Sequence, residues 1–288
     1  MNNYWMPALA LVPFRAITPM MLRKIVADTE WPSQTVKRAA IARLKALCKA
    51  AVLDEVIDRS PAASIQLPAK SKKKIEPFSV REAESIVNWM STTLPPRLQI
   101  YTAFYEFAFF TGMRTGEMMG LRWDEIDLEK KTAHVCRIVV DRQLMERTKT
   151  KYTRTVMLNT RAVSAIRKAK EIAEHEDRHK RRVSAPSPFV FQPLGGAPHM
   201  MAPETPGAHF NAAVKALGLP PRPQYNCRHT YATMCLMSGI NPAFIAGQLG
   251  HSVQVLLTTY AKWLNSTSDW SEIEKLEVRV IGTKSVQD

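Results

Sequence analysis

The chain has 288 residues, 45% hydrophobic and 23% charged, a mix that supports a buried core and excludes a disordered or fibrous chain. With 40 Lys and Arg against 26 Asp and Glu, the net charge is +14 at pH 7, which points to an anionic partner such as nucleic acid unless the chain is simply a basic enzyme. No apolar run approaches the ~18 residues of a membrane span, and the opening MNNYWMPALALVPF lacks the basic start of a signal peptide, so a cytoplasmic protein without membrane contact is expected.

In chain order, a short helix is expected over Pro19–Ala27, and a longer one from Ser33 to Ile57 with Ser33 as its cap. Val36, Ala40, Leu44, Leu47, Ala51 and Val56 fall near one face of the longer helix, and Lys37, Arg38, Lys45 and Lys49 mostly stay off it. Residues 1–75 hold 13 Lys and Arg against 5 Asp and Glu, more than half of the chain's surplus. A short piece so basic reads as a DNA-gripping module, with Lys37, Arg38 and Lys45 as candidate contacts. Ser60-Pro61, Leu67-Pro68 and the run Lys70-Ser71-Lys72-Lys73-Lys74 then read as a linker. Its Lys70, Lys72, Lys73 and Lys74 are either solvated surface or cations laid against phosphates. The expected division is a helical domain over 1–68, a basic linker over 69–76, a second domain over 77–263 and a weakly patterned tail over 264–288.

In the second domain, Ser79 is a candidate cap for a helix over Arg81–Met90. The stretch Ile100–Phe110 is apolar on nearly every face and should be a buried central helix, ended or turned at Gly112. Strands are expected over His134–Val140 and Arg154–Leu158, with the cationic turn Thr148-Lys149-Thr150-Lys151 between them. A helix follows over Arg161–Glu176, then a Pro/Gly-rich loop over Ser184–Pro206, then helices over Ala208–Leu217, Thr230–Ser238 and Pro242–Leu249. The fold class is mainly α with a small antiparallel β-sheet (α+β). No repeat of 20–50 residue period is visible. Cys48, Cys136, Cys227 and Cys235 form no CxxC pair and suit neither a zinc knuckle nor a disulfide framework, so they read as reduced, mostly buried side chains, with no metal expected. Trp123 reads as core rather than as a base-stacking residue.

Few residues persuade singly, but one set shares a chemical purpose. Cutting a phosphodiester with a side-chain hydroxyl needs a nucleophile, cations for two non-bridging oxygens and a proton donor for the leaving 5′-oxygen. Arginine suits the oxygens because its planar fork binds them bidentately and keeps its charge. Lysine suits the leaving group because it carries charge and can give up a proton. The candidates are Arg114 in TGMRTGEMMGLRWDEID, Lys149 in TKTKYTRTVML, Arg228 and His229 in YNCRHTYAT, His251 in QLGHS and Tyr260 in VLLTTYAKW.

From about Phe78 to Trp263 these segments resemble the catalytic domain of tyrosine recombinases, specifically the integrases of phages and integrative elements. TGMR followed by Glu117 resembles the family's first arginine box and RHTYAT its second; the lysine turn falls between them. LGH with a tyrosine nine residues on resembles the histidine and nucleophile. The basic helices before the linker resemble, more loosely, the core-binding domain. The resemblance implies that Arg114 and Arg228 clamp the scissile phosphate and that Glu117 supports Arg114. Lys149 is then the acid for the 5′-oxygen, with Lys151 its rival two residues on. His251 binds the phosphate or handles the nucleophile's proton, and Tyr260 forms a 3′-phosphotyrosyl link. His229 is expected to be a structural histidine packed behind the site.

One position departs from the commonest family pattern. Tyr225 stands three residues before Arg228, where that pattern has histidine. Tyrosine can hydrogen-bond a phosphate but does not exchange protons near neutral pH as histidine does, which changes how proton transfer is shared. The arm-binding module that integrases with two kinds of DNA site usually carry is not expected in these residues. The implied chemistry uses no cofactor. The implied partners are double-stranded DNA with specific recombination sites, a homotetramer formed on it, and accessory DNA-bending or directionality proteins. Dimer resolution, DNA inversion, topoisomerase-like relaxation and a catalytically idle DNA-binding regulator are the rival readings.

Overall fold

The computed structural model describes residues 4–69, 75–146, 153–179, 187–192, 199–200 and 202–263. The chain divides into two compact units, Met1–Lys74 and Ile75–Asp288. Among the described residues no helix is long and apolar enough to cross a membrane.

The first unit is helical: α1 (Met6–Leu9), α2 (Pro19–Asp28) and α3 (Gln34–Leu53). Thr18 caps α2 by accepting from the Met21 amide at 3.3 Å, and Pro19 occupies the first turn, where its missing N–H leaves no bond unmade. Ser33 caps α3 in the same way through the Val36 amide at 3.2 Å. The helix stops at Leu53, short of the expected Ile57, because Glu55 turns the chain with a left-handed φ of 56°. That shifts the core stripe. Leu47 and Val56 are exposed, whereas Ala40, Ile41, Leu44 and Cys48 pack with Trp5, Leu22, Ala62 and Ile65.

The second unit starts with α4 (Val80–Thr93), whose Ser79 and Glu82 form a reciprocal capping box. Next is α5 (Gln99–Thr111), buried along almost its whole length as the apolar run predicts. Gly112 closes α5 with φ of 64°. A Cβ there would lie 2.6 Å from the Tyr231 ring and 2.7 Å from Leu249, so the turn needs glycine both for conformation and for space. α6 (Thr115–Met119) follows at once.

The strands are β1 (Ile126–Asp127), β2 (Thr132–Val135), β3 (Arg137–Val140), β4 (Gln143–Glu146) and β5 (Arg154–Met157). β1, β2 and β5 form an antiparallel sheet in the order β1-β2-β5, and β3 and β4 form a separate antiparallel hairpin. The strand expected over His134–Val140 is therefore split at Cys136, whose thiol donates to the Glu125 carboxylate at 2.6 Å. Asp141 and Arg142 join β3 to β4 with positive φ of 48° and 66°, a two-residue turn without glycine. The segment containing Lys149 and Lys151 lies outside the described residues.

The rest is helical: α7 (Thr160–His179), α8 (Glu204–Ala216), α9 (Asn226–Met237), α10 (Pro242–Leu249) and α11 (Val253–Tyr260). α7 packs Ala162, Ala165, Ile166 and Ala169 into the main core beside α5. α8 begins inside the expected loop, with Pro206 buried in its first turn, where the helix tolerates proline. α11 has no counterpart in the expected elements; Ser252 caps it through the Val255 amide at 3.2 Å. Tyr231, Ala232, Leu236, Ile245, Leu249, Leu256 and Tyr260 form a second core that joins α9, α10 and α11. Cys48, Cys136, Cys227 and Cys235 are all free thiols, three of them buried.

Candidate active site

Two helix C-termini and one helix N-terminus meet where the motif residues lie. Gly112 ends α5, Leu249 ends α10, and Arg114 caps α6. Arg228, on α9, is 3% exposed. Its guanidinium donates to the Gly112 carbonyl at 2.8 Å and to the Leu249 carbonyl at 2.5 Å. The negative ends of two helix dipoles therefore hold this cation in place.

Arg114 is bound to Glu117 twice, through its backbone amide and through Nη1, each at 3.0 Å. Glu117 has no exposed side-chain surface, and it also takes both Nη atoms of Arg154, at 3.0 and 2.7 Å. Burial alone would raise the carboxyl's pKa. The Arg154 hydrogen bonds and the charges of Arg154 and Arg114 outweigh that and bring it down to about 2. Arg154 further donates from Nε to the Gln248 carbonyl at 2.8 Å, and Arg114 reaches the Gly250 carbonyl at 3.5 Å. The three successive carbonyls of Gln248, Leu249 and Gly250 thus each accept from a different arginine. Gly250 permits this approach, since a Cβ there would stand 3.0 Å from Arg154.

Arg114 and Arg154 share the Glu117 carboxylate and Arg228 donates to carbonyls, so these four side chains carry a surplus of positive charge. Burial and then the nearby Arg114 cation depress Arg228 to about 10. His251 is pushed down by burial and then by Arg228, with smaller effects from Arg114 and Arg154; its Nδ1 lies 3.3 Å from the Ser252 carbonyl.

Tyr260 ends α11 and is 3% exposed. Its hydroxyl lies 2.5 Å from Nδ1 of His229, and its ring packs against His229 and Trp263 at centroid separations of 5.7 and 5.9 Å. Burial pushes the Tyr260 hydroxyl up to about 12; Arg228 pulls it down, and Tyr225 pushes it up. His229 goes down to about 4, by burial and then by Arg228. His229 thus differs from its expected place behind the site. Tyr225, at 44% exposure, sets its ring edge-on to His229 at 5.2 Å.

The structure gathers Arg114, Glu117, Arg228, His229, His251 and Tyr260, with Tyr225 at the rim, and adds Arg154, which sequence reasoning missed. The signal for Arg154 was its place two residues before buried Val156 on the same face of β5. Lys70, Lys72, Lys73, Lys74 and Lys149 lie outside the described residues. In the first unit, Lys37 is half-buried, Arg38 donates to the Pro68 carbonyl, and Lys45 donates to the carbonyls of Ala63 and Ile65 at 3.0 and 2.7 Å.

Residues 77–265 match the sequence model of the phage integrase family. The prophage integrase IntR of Escherichia coli K12 is 29% identical over 257 residues, which are 83% of this chain and 60% of IntR. The chain spans between 44% and 64% of the length of the first curated relatives it matches. Among solved structures, the Tn1549 transposon integrase in complex with a circular intermediate DNA aligns over 92% of this chain and 87% of its own, with a TM-score of 0.70 at 18% identity. A lambda integrase dimer bound to a COC′ core site aligns over 91% and 85%, with a TM-score of 0.65 at 17% identity.

Proposed function

From the premise that this chain belongs to the phage integrase family, we propose that it is a site-specific recombinase of a phage or other mobile element, cutting and rejoining DNA through a 3′-phosphotyrosyl bond to Tyr260. The observation that carries this reading is the unbalanced charge at the site: Arg114 and Arg154 share one carboxylate, and together with Arg228 they donate to three consecutive carbonyls. Surplus charge held rigidly in a buried setting is what a phosphodiester requires. Arg114 and Arg228 take the non-bridging oxygens, and His251 adds a contact to the same phosphate. Glu117 and Arg154 position Arg114. Lys149 protonates the departing 5′-oxygen, and Tyr225 lends a hydroxyl to the phosphate at the rim.

The phosphotyrosyl bond conserves the energy of the broken phosphodiester, so the step uses no cofactor and reverses when a 5′-hydroxyl of the partner strand attacks. The partners are then double-stranded DNA with specific recombination sites, further copies assembling as a tetramer on it, and accessory DNA-bending or directionality proteins. The place of action is the nucleoid in the cytoplasm. The core-binding role belongs to residues 1–68, joined by the basic linker over 69–76 to the catalytic residues 77–263. The test is a nicked recombination-site duplex run on a denaturing gel. Wild-type protein is expected to form a covalent adduct and Tyr260→Phe none, with site binding retained. An adduct of normal yield from Tyr260→Phe sinks the assignment, and no adduct from wild type on any attachment site favours an idle DNA-binding regulator.

A further inference from the structure

Tyr225 and His229 stand four residues apart, so they occupy one face of α9, a turn from each other. The imidazole that the commonest family pattern has at position 225 is absent, and another lies one turn along, touching the nucleophile's oxygen. We propose that His229 is the proton acceptor for Tyr260, taking over a proton-handling role that Tyr225 cannot fill. This rests on the reading of Tyr260 as nucleophile.

The geometry is that of a nucleophile and its base, with 2.5 Å between the Tyr260 hydroxyl and Nδ1 of His229. The hydroxyl needs such a partner, because burial holds its pKa at about 12 and keeps it protonated. His229, held down to about 4 by burial and by Arg228, is neutral at physiological pH, and in its Nε2–H tautomer the Nδ1 lone pair accepts from the hydroxyl. The titratable or charged described groups facing His229 are Tyr225 and Arg228 from its own helix and Tyr260 from α11. A phosphodiester bound beside Arg228 offsets that cation and makes the imidazolium easier to form.

The step balances. The Oη–P bond forms as the P–O5′ bond breaks; the tyrosyl proton goes to Nδ1 of His229, and the leaving 5′-oxygen takes a proton from Lys149. On rejoining, the 5′-hydroxyl attacks and gives its proton back to Lys149 as the O5′–P bond forms, the Oη–P bond breaks, and Nδ1 returns its proton to Oη.

The experiment is single-turnover adduct formation on the nicked duplex as a function of pH. For wild type the rate is expected to fall as pH drops through the His229 pKa of the DNA complex, since a protonated imidazole accepts nothing. That limb should lie above about 4 and no higher than the ordinary 6.5. His229→Gln keeps a polar group against the hydroxyl but no proton acceptor. It is expected to be slower by ~10²–10⁴-fold and to lack the acid limb. His251, also pushed below its ordinary value by burial and by Arg228, is present in both proteins, so the difference between them reports His229 alone. Difluorotyrosine at position 260, with a more acidic hydroxyl, should speed the His229→Gln protein more than it speeds wild type. If that variant melts early, His229→Asn is read in its place. Cleavage at wild-type rate with the acid limb retained overturns the proposal, as does a slow variant that gains nothing extra from the acidic tyrosine, which indicates packing alone. Tyr260→Phe separates the two layers: an adduct from it removes the nucleophile reading, whereas no adduct from it beside a normal His229→Gln removes only the role of His229.

Discussion

The two units use basic residues in different ways, although both hand them to backbone carbonyls. In the first, Arg15 donates to Val56, Arg38 to Pro68, and Lys45 to Ala63 and Ile65, each cation pinning a separate piece of chain. In the second, Arg114, Arg154 and Arg228 crowd onto the carbonyls of residues 248–250 around the single carboxylate of Glu117. A count of charges ranks the first unit as the more basic per residue. An anion responds instead to cations that are close, oriented and incompletely neutralised. The comparison teaches that net charge points to the class of partner, while the local balance points to the place where it is bound.

The largest expected effect tests whether the cluster acts on the non-bridging oxygens and leaves the departing oxygen to Lys149. Lys149→Ala should slow cleavage of ordinary DNA by ~10²–10⁴-fold, the usual contribution of a positioned acid. On a 5′-bridging phosphorothiolate, whose leaving group needs no proton, it should recover most of that loss. Arg114→Ala and Arg228→Ala should not recover, because the charge they stabilise is the same whichever group departs. Rescue of Lys151→Ala instead of Lys149→Ala would move the acid two residues along.

A smaller effect concerns how the cluster holds together. The Glu117 carboxyl is depressed from 4.5 to about 2 in the fold. A depressed acid stabilises fully above its unfolded value and loses that contribution as pH falls through the folded one, so the window is about pH 4.5 down to about 2. Integrated over that shift, the contribution is on the order of 3 kcal/mol. Denaturant melts of wild type should lose roughly that amount across the window. Glu117→Gln should be less stable at pH 7 by ~3–5 kcal/mol, the cost of breaking a buried pair, and should have a shallower pH dependence than wild type across that range, where Glu82, held down to about 2 by Arg222, keeps part of the slope. An equally steep pH dependence in Glu117→Gln would place the acid-labile group elsewhere.

Six motif residues stood out in the sequence as side chains suited to one chemistry, and the fold gathers Arg114, Glu117, Arg228, His229, His251 and Tyr260 although α11, which carries Tyr260, was not among the expected helices. What escaped depended on long-range partners. Arg154 stood in the sequence only as the first residue of an expected strand; its acceptors come from Glu117, 37 positions earlier in the chain. His229 looked structural because Tyr260 is 31 residues away, on a helix that was not foreseen. The β3–β4 hairpin was hidden by its turn, where Asp141 and Arg142 adopt the positive φ that usually calls for Asn-Gly. Lys45 and Arg38 lie off the apolar face of α3 as expected, yet periodicity cannot tell whether a residue off that face meets solvent, phosphate or the protein's own carbonyls.

The smallest expected effect decides that last point. If Lys45 pins the segment after α3, Lys45→Ala removes hydrogen bonds to two carbonyls, at 3.0 and 2.7 Å. Each net hydrogen bond is worth ~1 kcal/mol, and the site is half-open to water, so a loss of roughly 1 kcal/mol is expected in a denaturant melt. DNA binding should then keep its dependence on salt, because a cation engaged with its own chain releases no counterion from DNA. The contrasting change is Lys72, Lys73 and Lys74 all to Ala in the linker. If those three meet phosphates, the slope of log affinity against log salt should fall by roughly one for each, with stability unchanged. The opposite result, in which Lys45→Ala flattens the salt slope by about one and leaves the melt untouched, would show that Lys45 exchanges its carbonyls for a phosphate when DNA arrives. The division between cations that pin separate pieces of chain in the first unit and cations that cluster in the second would then hold only for the free protein.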